Sequence, residues 1–129
     1  MWGKTPFWIL DNCVIEVRNL GTARDWYKKT LGLREASGER EREDDSGRPF
    51  VDLRVSNDDT SLTLVEREAA ASTQSEHVIF FAKNLEKTRQ WLMERGVTVE
   101  AATSDSGGNR FFRFQDLEGN AIEVGVEPG

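Results

Sequence analysis

Apolar and polar positions follow the same order in two stretches of this chain. The stretch NCVIEVRNLGTARDWY (12–27) aligns without a gap with HVIFFAKNLEKTRQWL (77–92), at an offset of 65 residues. The opening residues of both are typical of a strand: Cys13, Ile15 and Val17 share one face in the first stretch, and Val78, Phe80 and Ala82 share one face in the second. Apolar residues at helical spacing follow. Each stretch therefore predicts a strand and then a helix.

The ends of the two helices are marked by residues with known capping preferences. Asn19 and Asn84 stand where a side-chain oxygen can accept hydrogen bonds from the free amides of a helix start. The helices are expected to run to about Leu31 and Arg95, because a glycine follows each and takes the left-handed conformation at little cost.

Runs rich in β-branched and aromatic residues follow each helix and predict further strands. In the first copy they lie at 50–55 and 61–65, and in the second they lie at 98–101, 110–114 and 121–126. A further strand directly after the helix of the first copy is expected near 33–36. Each copy therefore has the order β-α-β-β-β. A unit used twice in tandem predicts an α+β fold built from two βαβββ modules.

The length of the chain predicts one domain over 1–129. Module 1 is expected at about 9–66 and module 2 at about 77–126, joined by a linker over 67–76. The charged stretch at 38–47, GEREREDDSG, predicts a solvated loop, with a lid over a site as the alternative. The N-terminal arm, MWGKTPFWIL, carries much aromatic area, which is unfavourable in water. It is expected to extend or cover the first strand, or to pack at a subunit interface.

The charge balance narrows the classes of partner. The chain has 17 Lys and Arg against 23 Asp and Glu, a formal charge of −6. This argues against nucleic acid and anionic membranes as partners. It favours a cationic ligand, unless the charge serves solubility alone. The single cysteine, Cys13, excludes an intramolecular disulfide, and no signal peptide or membrane span is recognisable. A cytoplasmic location is expected.

Two motifs resemble elements of one protein superfamily. NCVIEVRNLGTARDWYKKTLGL looks like the opening strand, helix and FY…LG element of the vicinal oxygen chelate superfamily. FRFQDLEGNAIEV looks like its closing F-x-D-P-x-G-N-x-I-E hairpin, with Leu117 in place of the usual proline. The superfamily includes glyoxalase I, bleomycin-resistance proteins and extradiol dioxygenases. The resemblance covers about residues 9–126 and implies curled mixed sheets with the helices on their outer face. It does not fix the chemistry, because one scaffold hosts many activities.

The resemblance also implies where a site would lie. In the family each module curls its sheet into a cup, and many members are homodimers. Metal-dependent members place ligands on the first and last strand of each module. By position these are Asn12 and Thr63 in the first module and His77 and Glu123 in the second. A homodimer is therefore expected, with a small-molecule ligand or substrate bound in the cup.

The metal-ligand set implied in this way is incomplete. A catalytic divalent ion needs at least three good protein ligands, with further positions left for water or substrate. His77 and Glu123 supply two, Asn12 offers an amide oxygen as a third, and the hydroxyl of Thr63 is weaker still. We therefore expect the site to hold no metal. The alternative is one divalent ion (Mn, Mg, Fe, Ni or Zn), and the oxygen ligands favour Mn or Mg over Zn.

Strand alternation adds candidates on the faces directed into the cups. Glu16 shares a face with Asn12, whereas Phe81, Phe111 and Arg113 are assigned to the same side as Glu123. Glu16 and Glu123 are candidates for proton transfer, because a carboxylate held in a cup can act as a general base. The candidate ligand contacts are Asn12, Thr63, Phe81, Phe111 and Arg113.

These residues also have purely structural interpretations. His77 would be an inert, hydrogen-bonded residue at a strand start, and Glu16 would lie at an exposed edge. A salt bridge from Glu123 to Arg54 or Arg113 would offset the cost of placing a carboxylate in a cup.

Two functions from different classes fit these observations. The preferred one is a small-molecule-binding protein of the glyoxalase or bleomycin-resistance type, with an incomplete metal site. The alternative is a divalent-metal-dependent glyoxalase or other lyase, an isomerase, or a dioxygenase-like enzyme. In such an enzyme His77 and Glu123 would hold an ion that polarises the substrate as a Lewis acid.

Overall fold

The fold is described from a computed structural model, over residues 6–9, 12–35, 42–43, 47–55, 61–67 and 78–126. Two helices and nine strands lie in these ranges. In chain order they are β1 (Cys13–Val17), α1 (Leu20–Leu31), β2 (Arg34–Glu35), β3 (Arg42–Glu43), β4 (Pro49–Arg54), β5 (Ser61–Glu66), β6 (Val78–Ala82), α2 (Leu85–Glu94), β7 (Thr103–Ser104), β8 (Arg110–Gln115) and β9 (Ala121–Val126).

The strands form two mixed sheets with matching connectivity. The first has the order β1-β5-β4-β2, with β3 also paired to β4, and the second has the order β6-β9-β8-β7. In each sheet the first pair is parallel and the other pairs are antiparallel. Val14 pairs with Thr63 in the first sheet, as Ile79 pairs with Glu123 in the second. The predicted α+β fold of two tandem βαβββ-like modules is confirmed.

Both helices start as their asparagines predict. The side chain of Asn19 accepts a hydrogen bond from the amide of Thr22, and that of Asn84 accepts one from the amide of Lys87, each at 3.0 Å. Gly32 ends α1 in the left-handed region, at φ 74°, where a side chain would be strained. These are local signals, which is why the sequence alone places both helices.

One shared hydrophobic core lies between the sheets and the helices. Helix α1 packs on β4 and β5, and α2 packs on β8 and β9. Alternate residues of the long strands enter this core, whereas the opposite faces are only partly covered. We call the opposite faces the open faces of the two sheets. Neither α1 nor α2 is long and apolar enough to cross a membrane.

The N-terminal arm joins the second module, which corrects the expectation that it extends or covers the first strand. Trp8 forms an antiparallel bridge with Phe81 on β6. Phe7 and Ile9, each 2% exposed, enter the core on either side of it. The docking is driven by burial of these two side chains, and each such burial contributes about 1.5–3 kcal/mol.

Two further expectations also need correction. The strand predicted at 98–101 reduces to one bridge, between Val99 and Phe114, and pairing resumes only at β7. The side chain of Arg89 donates to the carbonyl of Glu100, so this carbonyl is bound by a helix residue. Within the charged stretch expected to be a loop at 38–47, residues 42 and 43 instead pair with β4 as β3, because an edge can pair through its backbone without apolar side chains. Residues 38–41 and 44–46 lie outside the described ranges, so the expectation of a loop or lid there stays a prediction. The linker residues 68–76 lie outside the described ranges.

Candidate functional site

A cavity of about 600 Å³ lies on the open face of the second sheet. Its floor comes from β6, β8 and β9, and one side comes from the loop that precedes β8. The lining residues are Ile79, Phe81, Asp105, Gly108, Asn109, Arg110, Phe111, Glu123, Gly125 and Val126. Three residues singled out from the sequence, Phe81, Phe111 and Glu123, are therefore brought to one cavity.

Two phenylalanines flank a glycine across the floor of this cavity. In the strand register Gly125 on β9 pairs with Phe81 on one side and with Phe111 on the other. A β-carbon at Gly125 would lie 3.5 Å from the ring of Phe81, so the glycine leaves a gap beside this ring that a side chain would fill. The corresponding row of the first sheet holds Val65 between Glu16 and Phe50. This gap is a property of the second module.

The charged pair of the site lies one row away from that gap. Arg113 pairs with Glu123 in the strand register, and its guanidinium lies 3.5 Å from the carboxylate. The central carbon of the Arg113 guanidinium lies 5.2 Å from the ring centre of Phe111. The sequence suggested Arg54 or Arg113 as the salt-bridge partner of Glu123, and in the structure the partner is Arg113. The pair is partly exposed, so it orients the side chains more than it stabilises the fold.

The candidates of the first module lie apart from the cavity. The Asn12 side-chain oxygen accepts a hydrogen bond from the amide of Ser61 at 2.8 Å. The hydroxyl of Thr63 donates to Asp52 at 2.5 Å. Glu16 forms an ion pair with Arg67. Each of these polar side chains has a partner in the first module or in the residue directly after it, and none of the three lines the cavity.

The closing hairpin motif joins the two modules through a buried hydrogen bond. The hydroxyl of Tyr27 on α1 donates to the buried carboxylate of Asp116 at 2.6 Å. Asp116 also accepts hydrogen bonds from the amides of Glu118 and Asn120, which fold the DLEGN turn. Burial raises the pKa of Tyr27 well above its usual value, and the charge of Asp116 adds to the shift. Tyr27 and the DLEGN turn of the motif therefore hold the two modules together, whereas Glu123, further along the same motif, lines the cavity.

A second contact from the same turn reaches the first module. The carboxylate of Glu118 accepts hydrogen bonds from the amides of Arg18 and Asn19, at 2.7 and 3.1 Å. A negative charge before the first turn of α1 is favourable, because the amides there have no helical partner. The two modules therefore adjoin within one chain, a point on which the sequence alone gave no answer.

A sequence model of the Glyoxalase/Bleomycin resistance protein/Dioxygenase superfamily matches residues 9–124. The chain belongs to this superfamily. Since the match spans both modules, the resemblance drawn from the two motifs is confirmed. No curated protein matches the sequence.

Solved structures of the superfamily fold extend this comparison. A superfamily member from Sphaerobacter thermophilus is 21% identical, with a TM-score of 0.75, over 92% of this chain and 97% of its own. Lactoylglutathione lyase from Agrobacterium tumefaciens is 17% identical, with a TM-score of 0.63, over 91% and 92%. The antibiotic binding protein TnmS3 from Streptomyces sp. CB03234 is 22% identical, with a TM-score of 0.69, over 93% and 98%. At these identities the likeness shows the fold alone.

The metal site of the superfamily's metal-dependent members does not fit the residues described in this one. Within the described ranges, no group of three or more His, Cys, Asp or Glu side chains could hold an ion. Of the family ligand positions, Glu123 is paired with Arg113, Asn12 accepts an amide, and Thr63 donates to a carboxylate. His77 lies outside the described residues. No chemical step is therefore derived through a metal.

Two features of the site were missed in the sequence. Gly125 interrupts the alternation of AIEVGV, and a glycine inside a strand often marks a close approach of ligand or backbone. Asp105 begins the cavity loop and accepts hydrogen bonds from the amides of Gly107 and Asn109. The hydrogen bonds from Asn109 lower the pKa of Asp105, because they stabilise its charged form. The string DSGGN carries the signal for such a turn.

Proposed function

We propose that this protein binds a planar aromatic small molecule on the open face of its second sheet, between Phe81 and Phe111. The observation that carries the proposal is the glycine between these two aromatic residues in the floor of the cavity. Cavities that bind small molecules are lined by apolar and aromatic groups with a few placed polar ones, as this cavity is.

Strand geometry supports a flat ligand. Neighbouring strands lie about 4.8 Å apart, so the backbones of β6 and β8 stand about 9–10 Å apart across β9. A flat ring needs about 3.5 Å on each side to contact another ring. The proposed ligand therefore lies flat between Phe81 and Phe111, in the place above Gly125 that a side chain at this position would take. A β-carbon at Gly125 would take up part of that space.

The charged residues of the site bear on the charge of the ligand that it would bind. Asp105 and Glu123 line the cavity together with Arg110, and Arg113 is the partner of Glu123. The guanidinium of Arg110 also lies 3.6 Å from Glu86, outside the cavity lining. With a formal charge of −6 over the whole chain, a cationic ligand is favoured over an anionic one.

The proposed state of the site is metal-free, in keeping with the engagement of Glu123 by Arg113. TnmS3 is an antibiotic binding protein of the same fold, and lactoylglutathione lyase is an enzyme of that fold. The function proposed for this chain is binding, as the description of TnmS3 gives for that protein, rather than catalysis. A divalent-metal-dependent enzyme using His77 and Glu123 stays the alternative, and metal analysis separates the two.

The proposed assembly is a homodimer in the cytoplasm. Val14 is 49% exposed on β1, at one edge of the open face of the first sheet, beside Thr63 in the register. An apolar side chain so placed gains by being covered. A second copy packed on this face would cover it and would enclose the open faces that a single chain leaves uncovered.

The proposal is tested by comparing how the wild type and a variant with the gap filled bind planar compounds. Isothermal titration calorimetry would measure proflavine, a planar cation, and acridone, a neutral planar compound. Gly125→Val, which copies Val65 of the first module, fills the gap and is expected to weaken both by about tenfold or more. Ala121→Val, which adds a similar volume at an exposed position of β9 outside the cavity lining, should bind as the wild type does. Equal binding by both variants would refute the site.

A further inference from the structure

The N-terminal arm extends the aromatic row of the cavity floor by one ring. Trp8 stacks on Phe81 with ring centres 4.9 Å apart and planes at 28°. The two residues also exchange both backbone hydrogen bonds, from Trp8 N–H to Phe81 O at 3.0 Å and from Phe81 N–H to Trp8 O at 2.8 Å. The row across the sheet is therefore Trp8, Phe81, Gly125 and Phe111.

The arm is held in place independently of the Trp8 ring. Phe7 is buried, with its ring centre 5.1 Å from that of Phe80 and 6.1 Å from that of Phe114. It also meets Trp91 edge-on at 5.9 Å. Ile9 is buried on the other side of Trp8. Position 8 is thus fixed by its neighbours, and its own side chain is available for another purpose.

The ring of Trp8, and not its N–H group, accounts for a tryptophan at this position. The indole nitrogen is buried and has no hydrogen-bond acceptor in the described part of the chain. A buried donor without an acceptor is unfavourable, so hydrogen bonding gives no reason for the residue. Its stacking on Phe81 is a contact that a smaller apolar side chain would not provide.

The Phe81 ring is consequently held by Trp8 on one side and faces the space above Gly125 on the other. Trp8 stacks on one side, and on the other the ring edge reaches to 3.5 Å and 3.6 Å from the place where a Gly125 β-carbon would lie. We infer that Trp8 is a positioning residue, which holds the Phe81 ring beside Gly125 and so sets the width of the gap for planar ligands. The inference rests on the proposed function.

Three variants separate positioning from general stability. Trp8→Leu keeps an apolar side chain but removes the stacked ring. Trp8→Phe keeps a stacking ring and removes the unpaired N–H. Trp26→Leu removes a partly buried tryptophan that packs on Tyr27, away from the cavity, and controls for loss of stability alone. The probes are proflavine and amantadine, which are both cations, one planar and one a cage.

The expected result is a change in selectivity that only the loss of the ring produces. Trp8→Leu should weaken proflavine binding by roughly three- to tenfold, the free energy of one aromatic contact, with little change for amantadine. Trp8→Phe should stay within about threefold of the wild type, and Trp26→Leu should keep the wild-type ratio of the two affinities. If Trp8→Leu does not fold, Trp8→Met replaces it, with the same expectation.

Failure of this inference is distinguishable from failure of the proposed function. If Gly125→Val abolishes proflavine binding but Trp8→Leu binds it as tightly as the wild type, the site stands and the role of Trp8 is wrong. Loss of both probes in equal proportion in Trp8→Leu would also overturn positioning. If the wild type binds no planar probe, both proposals fall together.

Discussion

Tyr27 and Asp116 lie 89 residues apart in the sequence, and their side chains share a buried hydrogen bond 2.6 Å long. Tyr27 belongs to the helix of the first module, and Asp116 belongs to the closing turn of the second. The bond therefore couples the two modules at a point remote from the cavity. Both residues stand in the motifs by which the superfamily is recognised, so this part of each motif specifies the architecture. Of the cavity lining, Glu123 lies in a motif, whereas Phe81, Phe111 and Gly125 lie outside both motifs.

Removing this hydroxyl should destabilise the fold. Tyr27→Phe keeps the ring and leaves the Asp116 carboxylate without one buried donor, which is expected to lower the free energy of unfolding by about 1–3 kcal/mol. Urea unfolding followed by circular dichroism measures the change. Thr103→Val removes an exposed hydroxyl of a short strand and should change it by less than about 0.5 kcal/mol. Equal effects of the two substitutions would contradict a stabilising role for the Tyr27–Asp116 hydrogen bond.

The same bond predicts how stability depends on alkaline pH. The pKa of Tyr27 in the folded protein is raised above its usual value near 10.0. The stabilisation is fully present below pH 10, because the tyrosine is then protonated in both states. It is lost as the pH rises from there toward the raised pKa, because the unfolded chain alone ionises. The stability difference between wild type and Tyr27→Phe should therefore shrink above about pH 10.

Tyr27 is the only tyrosine in the chain, so its ionisation can be observed directly. Tyrosinate absorbance near 295 nm should remain absent from the folded protein at a pH about one unit above the usual tyrosine pKa. It should appear at the same pH after unfolding in urea. A normal titration in the folded protein would mean that the hydroxyl is not buried against Asp116.

Metal content tests the proposed state of the site. Protein purified without chelator should contain far less than one divalent ion per chain, because Glu123 is engaged by Arg113 and the other described candidates have their own partners. Elemental analysis by mass spectrometry measures this. A stoichiometric ion that is lost in His77→Ala or Glu123→Ala would favour the enzymatic alternative instead.

The exposed Val14 predicts the behaviour of the assembly. Light scattering should give a mass near twice the 14.6 kDa of one chain. Val14→Asp places a charge on the open face of the first sheet and should shift the mass toward one chain, since an unpaired charge in an interface is costly. Met93→Asp, at another exposed apolar residue on α2, should remain a dimer. A wild-type mass of 14.6 kDa would exclude the dimer.

Local signals made much of the fold predictable from the sequence. The asparagine caps, the glycine stops and the alternating strands each act over a few residues, and the last strand, β9, occupies the residues predicted for it. Contacts between residues from different elements could not be predicted from the sequence. Arg89 reaches the carbonyl of Glu100, and the N-terminal arm docks on β6 because the core beside it accepts Phe7.

The candidate site was predictable only in part, for the same reason. Strand parity correctly placed Phe81, Phe111 and Glu123 on one face. The choice of Arg113 as partner of Glu123, and the position of Gly125 between two rings, depend on the register of three strands. Register is set by turn geometry and by core packing together, and one sequence does not specify it residue by residue.

The central claim is that a flat ligand lies above Gly125, between the rings of Phe81 and Phe111. A crystal structure of the protein grown with proflavine tests it most directly. The account predicts planar density parallel to at least one of these rings, about 3.5 Å from it, with Trp8 still stacked on Phe81. Density for the dye elsewhere with this gap empty, or an ion coordinated by His77 and Glu123, would contradict it.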